Sequence, residues 1–402
     1  MGRSVLRLRD SVSHTRNPML KFHPMKHGEP IASPLWVGFD GKSLPASLSR
    51  WLAAGQVGGV VLYSRNIESP AQVRGLCREI RSAAGRRNPL PLIAVDQEGG
   101  RVARLKDPPF TWFPPARACS QFCCRNESVA ESVGAATAAE LRAVGIDVNF
   151  APVLDVDSNP ANPVIGDRAF SDDPDAAAAL GIAFARGSLS RGVLPVGKHF
   201  PGHGDTSADS HKELPVVRAG RRTLLRRELL PFRRATRAGI PALMTAHVMY
   251  PALDRALPAT LSRKILHDLL RERLRFRGAV FSDALEMKAI SDRYGIAEAS
   301  VLAVTAGCDV ALVCRGESVQ AETIDRLARE TRDRPTFRRA VAAAAVRSGR
   351  LRAWAAAKER CRPAPRAVGA ARHRLLSSLL REAWESTVRT SPGGRSGNIG
   401  EG

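Results

Sequence analysis

Residues 192–200 read GVLPVGKHF, an apolar run that stops abruptly on a lysine and a histidine. Seven other stretches have the same form. They are PLWVGFD (34–40, ending at Asp40), VGGVVLYSR (57–65), PLIAVDQE (91–98, with Asp96), GIDVNFAP (145–152, with Asn149), IPALMTAHV (240–248, with His247), GAVFSDALE (278–286, with Asp283) and CDVALVCRG (308–316, with Cys314). Continuous runs of this length, rich in Val, Ile and Ala, suit strands covered on both faces, as in a parallel sheet. Between most of them lie segments with helical punctuation. Ser69-Pro70 opens one that stops at Gly85, Asp173-Pro174 opens another that runs to Gly187 or Gly192, and Ser262 opens RKILHDLLRERLRF. Strand–helix alternation repeated eight times predicts a (β/α)8 barrel. The rival doubly wound sheet lacks its Gly-rich phosphate turn after the first strand.

The chain has 402 residues, 44% hydrophobic and 25% charged, enough apolar content for a large soluble core. One barrel is expected over 31–350, after a poorly ordered basic extension (1–30) and before a basic Ala/Arg/Pro-rich tail (351–402) that is partly disordered. The interval 97–144 exceeds one crossover and should carry an extra loop. No apolar stretch is long enough for a membrane span, and the N-terminus has no secretory apolar block, which predicts a cytoplasmic protein. The net charge of +22 invites a nucleic-acid reading, but the two ends carry +4 and +6 of it. No basic-aromatic motif accompanies the rest, so specific nucleic-acid binding is not expected. Seven cysteines without regular spacing fit a reducing compartment. Cys119-x3-Cys123-Cys124 is the one metal-like spacing, and without a second Cys/His pair nearby it reads as ordinary thiols.

In such a barrel, chemistry sits at the C-terminal ends of the strands. Asp96, Lys198, His199, His247 and Asp283 are therefore the candidates, although any one alone would serve equally well as a cap or a satisfied buried group. The densest segment is KHFPGHGDTSADSHKELP (198–215), a polar loop with three histidines and two aspartates. In a turning loop Asp209 and His211 share a side, so the carboxylate can fix the imidazole tautomer and favour its protonated form. A fixed carboxylate, Asp283, facing such a donor is the pairing that glycoside cleavage needs. Strict strand alternation would point Lys198 and His199 apart, so irregular backbone is expected there, such as a cis peptide.

KHFPGHGDTSADSH, with DQEGGRV (96–102), IGDRAF around Arg168 and FSDALEM (281–287), resembles the family-three glycoside hydrolases, and within them the bacterial β-N-acetylhexosaminidase branch. The resemblance covers roughly residues 35–320. It implies a single barrel that removes terminal β-linked N-acetylglucosamine with retention, in the recycling of peptidoglycan fragments. It implies Asp283 as nucleophile, His211 as acid/base and Asp209 as its partner. Asp96, Arg104, Arg168, Lys198 and His199 become the sugar-binding set. No cofactor or metal is implied, the partner is a small carbohydrate, and a monomer is expected. Ala284 stands where many relatives have a second aspartate. A metal-dependent barrel hydrolase is the alternative, with ligands drawn from His199, His203, Asp205, His211, His247 and Asp283. Phosphorolysis is a second, since a histidine acid does not repel phosphate. Binding of an anionic polymer without turnover is the non-enzyme reading.

Overall fold

The structure is a computed structural model that describes residues 33–85, 88–122, 127–210, 213–359 and 363–390. Each of the eight apolar runs contains a strand of one closed barrel. In chain order these are β1 (Leu35–Val37), β2 (Gly59–Leu62), β3 (Leu92–Val95), β6 (Val148–Asn149), β7 (Leu194–Phe200), β8 (Ala242–Thr245), β9 (Ala279–Ala284) and β10 (Val310–Val313). All pair in parallel, and β1 bonds to both β2 and β10, which closes the ring and excludes the open doubly wound sheet. Between β3 and β6 the long interval holds a small antiparallel hairpin, β4 (Gln97–Gly99) and β5 (Val102–Ala103), followed by helices Arg117–Gln121 and Glu127–Val144.

The helices begin where their caps require. The Ser69 hydroxyl accepts Gln72 N–H ahead of helix Pro70–Ala83, and the Asp173 carboxylate accepts Ala176 N–H ahead of helix Pro174–Ser190. The Ser262 hydroxyl accepts Ile265 N–H at the start of a π-helical segment, Lys264–Arg273. The expected limit at residue 350 falls inside helix Pro335–Ala357. A further helix, Ala371–Thr390, lies beyond it and bonds back to the barrel: His373 Nδ1 meets Glu140 at 2.9 Å, and the Ser377 hydroxyl donates to the Trp112 carbonyl. The 1–30 extension lies outside the described residues. No helix among the described residues is long and apolar enough to cross a membrane.

Alternation along each strand separates two cores. Leu35, Val37, Val60, Leu62, Ile93 and Val95 face the helices, whereas Trp36, Val61, Leu92, Ala94, Phe150 and Phe281 fill the barrel. Inside, the Phe281 ring meets Trp36 edge-on at 5.1 Å and Phe150 at 5.7 Å. The indole of Trp36 lies over Gly59, where a Cβ would come within 2.3 Å of the ring, so only glycine permits this packing. The interior is thus filled with side chains, and polar chemistry is confined to the strand ends.

At the N-terminal ends two buried aspartates act as staples. Asp147 accepts Ile93 N–H from β3 together with Arg81 and Arg142, at 3.1, 2.7 and 2.6 Å. Asp309 accepts Val280 N–H from β9 with Arg271 and Arg347, at 2.8, 2.7 and 2.7 Å. Both residues join two strands to the outer helices. Among the described cysteines, Cys77, Cys119, Cys308 and Cys314 are buried thiols. Cys123, Cys124 and Cys361 lie outside the described residues.

Because Phe281 touches both other large rings of the barrel interior, Phe281→Ala should destabilise the fold by about 3–5 kcal/mol. Denaturant unfolding measures this; a loss below about 1 kcal/mol would show that the interior collapses onto the gap.

Candidate active site

β3 ends in Val95, and the chain turns at once into the β4–β5 hairpin, which keeps Asp96 and Glu98 at the barrel mouth. The Gln97 side chain accepts from the Arg104 and Leu105 N–H groups and donates to Leu105 O, closing the hairpin. The amide of Asn149, at the end of β6, bonds both N–H and C=O of Gln97. That places two carboxylates opposite β7. Lys198 Nζ donates to Asp96 Oδ1 at 2.7 Å and to Glu98 Oε1 at 2.6 Å. Arg168 binds both oxygens of Glu98 at 2.9 Å, and Arg104 stands 3.7 Å from Asp96. Burial opposes the charges of Glu98, Lys198 and Arg168. The mutual attraction outweighs it, holding Glu98 ionised well below the usual carboxylate range and raising Lys198 and Arg168.

The Lys198–His199 peptide is cis, the irregularity expected at that point. His199 turns to Asp155, which is fully buried: Nδ1 lies 2.6 Å from Oδ2, while the backbone N–H groups of His199 and His203 donate to Oδ1 at 3.0 and 2.7 Å. Three donors on one carboxylate outweigh its desolvation and lower its pKa. With Nδ1 held by Asp155, the orientation of the His199 ring is fixed and Nε2 is turned away from that carboxylate.

Asp283 lies in β9. Its Oδ1 accepts the Ala284 N–H at 2.8 Å, and His247 Nε2 donates to the Ala284 carbonyl at 3.0 Å, fixing the peptide beside it. Burial disfavours the Asp283 charge. His247, His199, the Ala284 N–H and Lys198 outweigh it and hold the carboxyl below its ordinary range. The mouth therefore combines an ionised, immobilised carboxylate with a dense set of hydrogen-bonding groups. That arrangement can grip a polyhydroxylated ring and place a nucleophile against it.

The structure brings together Asp96, Arg104, Arg168, Lys198, His199 and Asp283 from the sequence-derived set. Asp209 lies half-buried in the loop after β7, where its carbonyl accepts Glu213 N–H. His211 lies outside the described residues, and so does its pairing with Asp209. Donors of the metal reading are committed elsewhere. Both ring nitrogens of His203 have hydroxyl partners, Asp205 pairs with Arg227 at 2.7 Å, and His247 bonds Thr260 and Ala284. Among the described residues no three His, Cys, Asp or Glu groups gather to hold a metal ion.

Sequence reasoning missed Glu98, Asp155 and Glu286. Glu286 accepts the Cys314 N–H at 2.9 Å through Oε1, while Oε2 is enclosed without a partner. Burial, reinforced by the Asp283 charge, pushes its carboxyl up to about 7. An unfolded glutamate titrates near about 4.3. Between those values the folded state holds the extra proton, so stability falls as pH rises through that window. Glu286→Gln keeps the acceptor for Cys314 and removes the charge. Its melting temperature should exceed that of wild type at pH 8, with the advantage shrinking at pH 5. Equal differences at the two pH values would show that Glu286 ionisation costs nothing.

Comparison with known proteins places this geometry. Residues 37–347 match the family described as Glycosyl hydrolase family 3 N terminal domain. A beta-hexosaminidase from Thiobacillus denitrificans is 45% identical over 298 residues, covering 73% of this chain and 81% of that protein. Among solved structures, a glycoside hydrolase family 3 beta-N-acetylglucosaminidase from Paenibacillus superposes with a TM-score of 0.73 at 36% identity, over 89% of this chain and 69% of that one. Native NagZ from Neisseria gonorrhoeae gives a TM-score of 0.71 at 31% identity, over 88% of this chain and 98% of that one. The family match runs through every strand that carries a site residue, and the relatives are similar over most of both lengths: the chain belongs to glycosyl hydrolase family 3 and is a glycoside hydrolase.

Proposed function

We propose that the enzyme is a retaining exo-β-N-acetylglucosaminidase that removes terminal β-linked N-acetylglucosamine from peptidoglycan-derived muropeptides in the cytoplasm, working as a monomer. The observation that carries this reading is Asp283: a carboxylate kept ionised by His247, His199 and Lys198, the last of which is paired with Asp96. Retention needs such an anion to attack the anomeric carbon and a separate donor to protonate the leaving oxygen. The names of the relatives, beta-hexosaminidase and beta-N-acetylglucosaminidase, support the choice of sugar.

In this mechanism Asp96, Arg104, Arg168, Lys198 and His199 bind the ring. Lys198 spends two of its three N–H groups on Asp96 and Glu98 and keeps one for a hydroxyl. Asp96 retains acceptor capacity opposite Arg104. Asp283 attacks the anomeric carbon and forms a glycosyl-enzyme as the aglycone departs, its oxygen protonated by His211, which Asp209 keeps charged. Water then attacks the anomeric carbon, giving its proton to His211 and releasing Asp283. Ionisation of Asp283 at low pH keeps the nucleophile ready across the physiological range.

Asp283→Ala should lower turnover of an aryl N-acetylglucosaminide by roughly a thousandfold or more without unfolding the protein. A slow fluorinated substrate should label Asp283 in the native enzyme, and label on another carboxylate would overturn the assignment. Chelator should leave the activity unchanged; loss that added metal restores would favour the metal-dependent alternative. His211→Ala should reduce kcat/KM far more for a sugar leaving group than for an activated aryl group, because a good leaving group needs little protonation.

A further inference from the structure

We propose that His203 and Ser210 form a positioning pair, anchored on Asp155, that holds the acid/base segment of the loop in register with the sugar-binding His199. The inference rests on the acid/base roles assigned to Asp209 and His211, between which Ser210 stands in sequence.

His203 is held through both ring nitrogens. Nδ1 lies 3.0 Å from the Thr206 hydroxyl, which in turn accepts from the Asn162 amide at 3.2 Å. Nε2 lies 3.2 Å from the Ser210 hydroxyl. Burial, with the neighbouring His199, lowers the His203 pKa to about 4, so at neutral pH the ring is neutral, with one N–H and one bare nitrogen. A hydroxyl can donate or accept, so Ser210 satisfies Nε2 in either tautomer.

The pair has fixed points on both sides. His203 N–H donates to Asp155 Oδ1, the oxygen that also accepts His199 N–H, so the ring that holds Ser210 and the ring that faces the sugar hang from one carboxylate. The Asn162 amide donates to the carbonyls of His203 and Gly204 at 2.9 and 2.8 Å. Gly204 lies against the Val156 carbonyl so closely that a Cβ would come within 1.5 Å of its oxygen. On the opposite side, the Ser210 carbonyl accepts the Ala289 N–H at 3.2 Å, six positions beyond Asp283. Ser210 is thus tied by its side chain to the loop that follows the sugar-binding strand and by its main chain to the segment that follows the proposed nucleophile.

Ser210→Ala removes the side-chain tie and leaves every sugar-binding group in place. A misplaced acid should cost most where protonation matters most. We expect kcat/KM to fall about tenfold or more for an N-acetylglucosaminide with a sugar leaving group, and to stay within about twofold for an activated aryl glycoside. Inhibition by N-acetylglucosamine should not change, and Ser210→Thr, which keeps the hydroxyl, should recover most of the loss. His203→Ala should reproduce the same leaving-group dependence. Equal losses on both substrates, no loss on either, or failure of Ser210→Thr to recover activity would overturn the pair. Failure of the functional reading would be visible separately, as absence of N-acetylglucosaminide turnover in the wild-type enzyme.

Discussion

An ammonium group only 3% exposed keeps its charge if carboxylates replace the water it has lost. Lys198 meets that demand with Asp96 and Glu98. The consequence spreads through the mouth of the barrel. Glu98 must lie against β7, which requires the tight β4–β5 hairpin, and its second oxygen then calls for Arg168 from a distant loop. Arg104 follows the hairpin to Asp96. One desolvated cation thus determines where four other charged groups stand, and its surplus positive potential helps to keep Asp283 ionised. Truncating one member would leave the others as buried, uncompensated charges, which is far costlier than losing the pair itself.

The barrel was legible because each apolar run ended in a group that could not stay inside it. Trp36, Val61 and Phe281 pack the interior, so Asp40, Asp96, Lys198, His247 and Asp283 had to mark the strand ends. Helix starts were legible for an equally local reason, since Ser69 and Asp173 cap their own helices within three residues. Asp155 escaped because its signal is nonlocal. The apolar run at 145–152 continues through a cis Ala151–Pro152 bond to Val156, with Asp155 inside it, and only the arrival of β7 gives that carboxylate its donors. Glu98 sits in a three-residue strand that no apolar run announces, and Glu286 reads as an ordinary polar residue after a strand. In each case the partner lies 28 or more residues away, beyond any spacing rule.

The arginine content also acquires a structural reading. Arg81, Arg142, Arg271 and Arg347 converge on Asp147 and Asp309 at the base of the barrel, while Arg352 donates to the Gly58 carbonyl. These guanidiniums hold strands to helices through planar, multiply bonded contacts that a lysine could not reproduce. Part of the strong positive charge is therefore internal fastening rather than a field directed at a polyanion. The two ends of the barrel divide their labour: aspartates paired with arginine give rigidity below, and carboxylates shared among mixed cations give a receptive surface above.

The C-terminal helix sets a schedule for the protein's own maturation. The segment after Arg104 is fastened through Thr111 to Glu140, whose carboxylate also accepts from Gly369 and His373, and the Trp112 carbonyl is capped by Ser377, 265 positions later. A ribosome adds about 5–20 residues per second, so roughly tens of seconds separate the synthesis of that wall from the arrival of its fasteners. During translation the nascent chain can assemble strands and bring Asp96, Lys198 and Asp283 together. The wall beside them gains these hydrogen bonds only once residues 369–377 have been made.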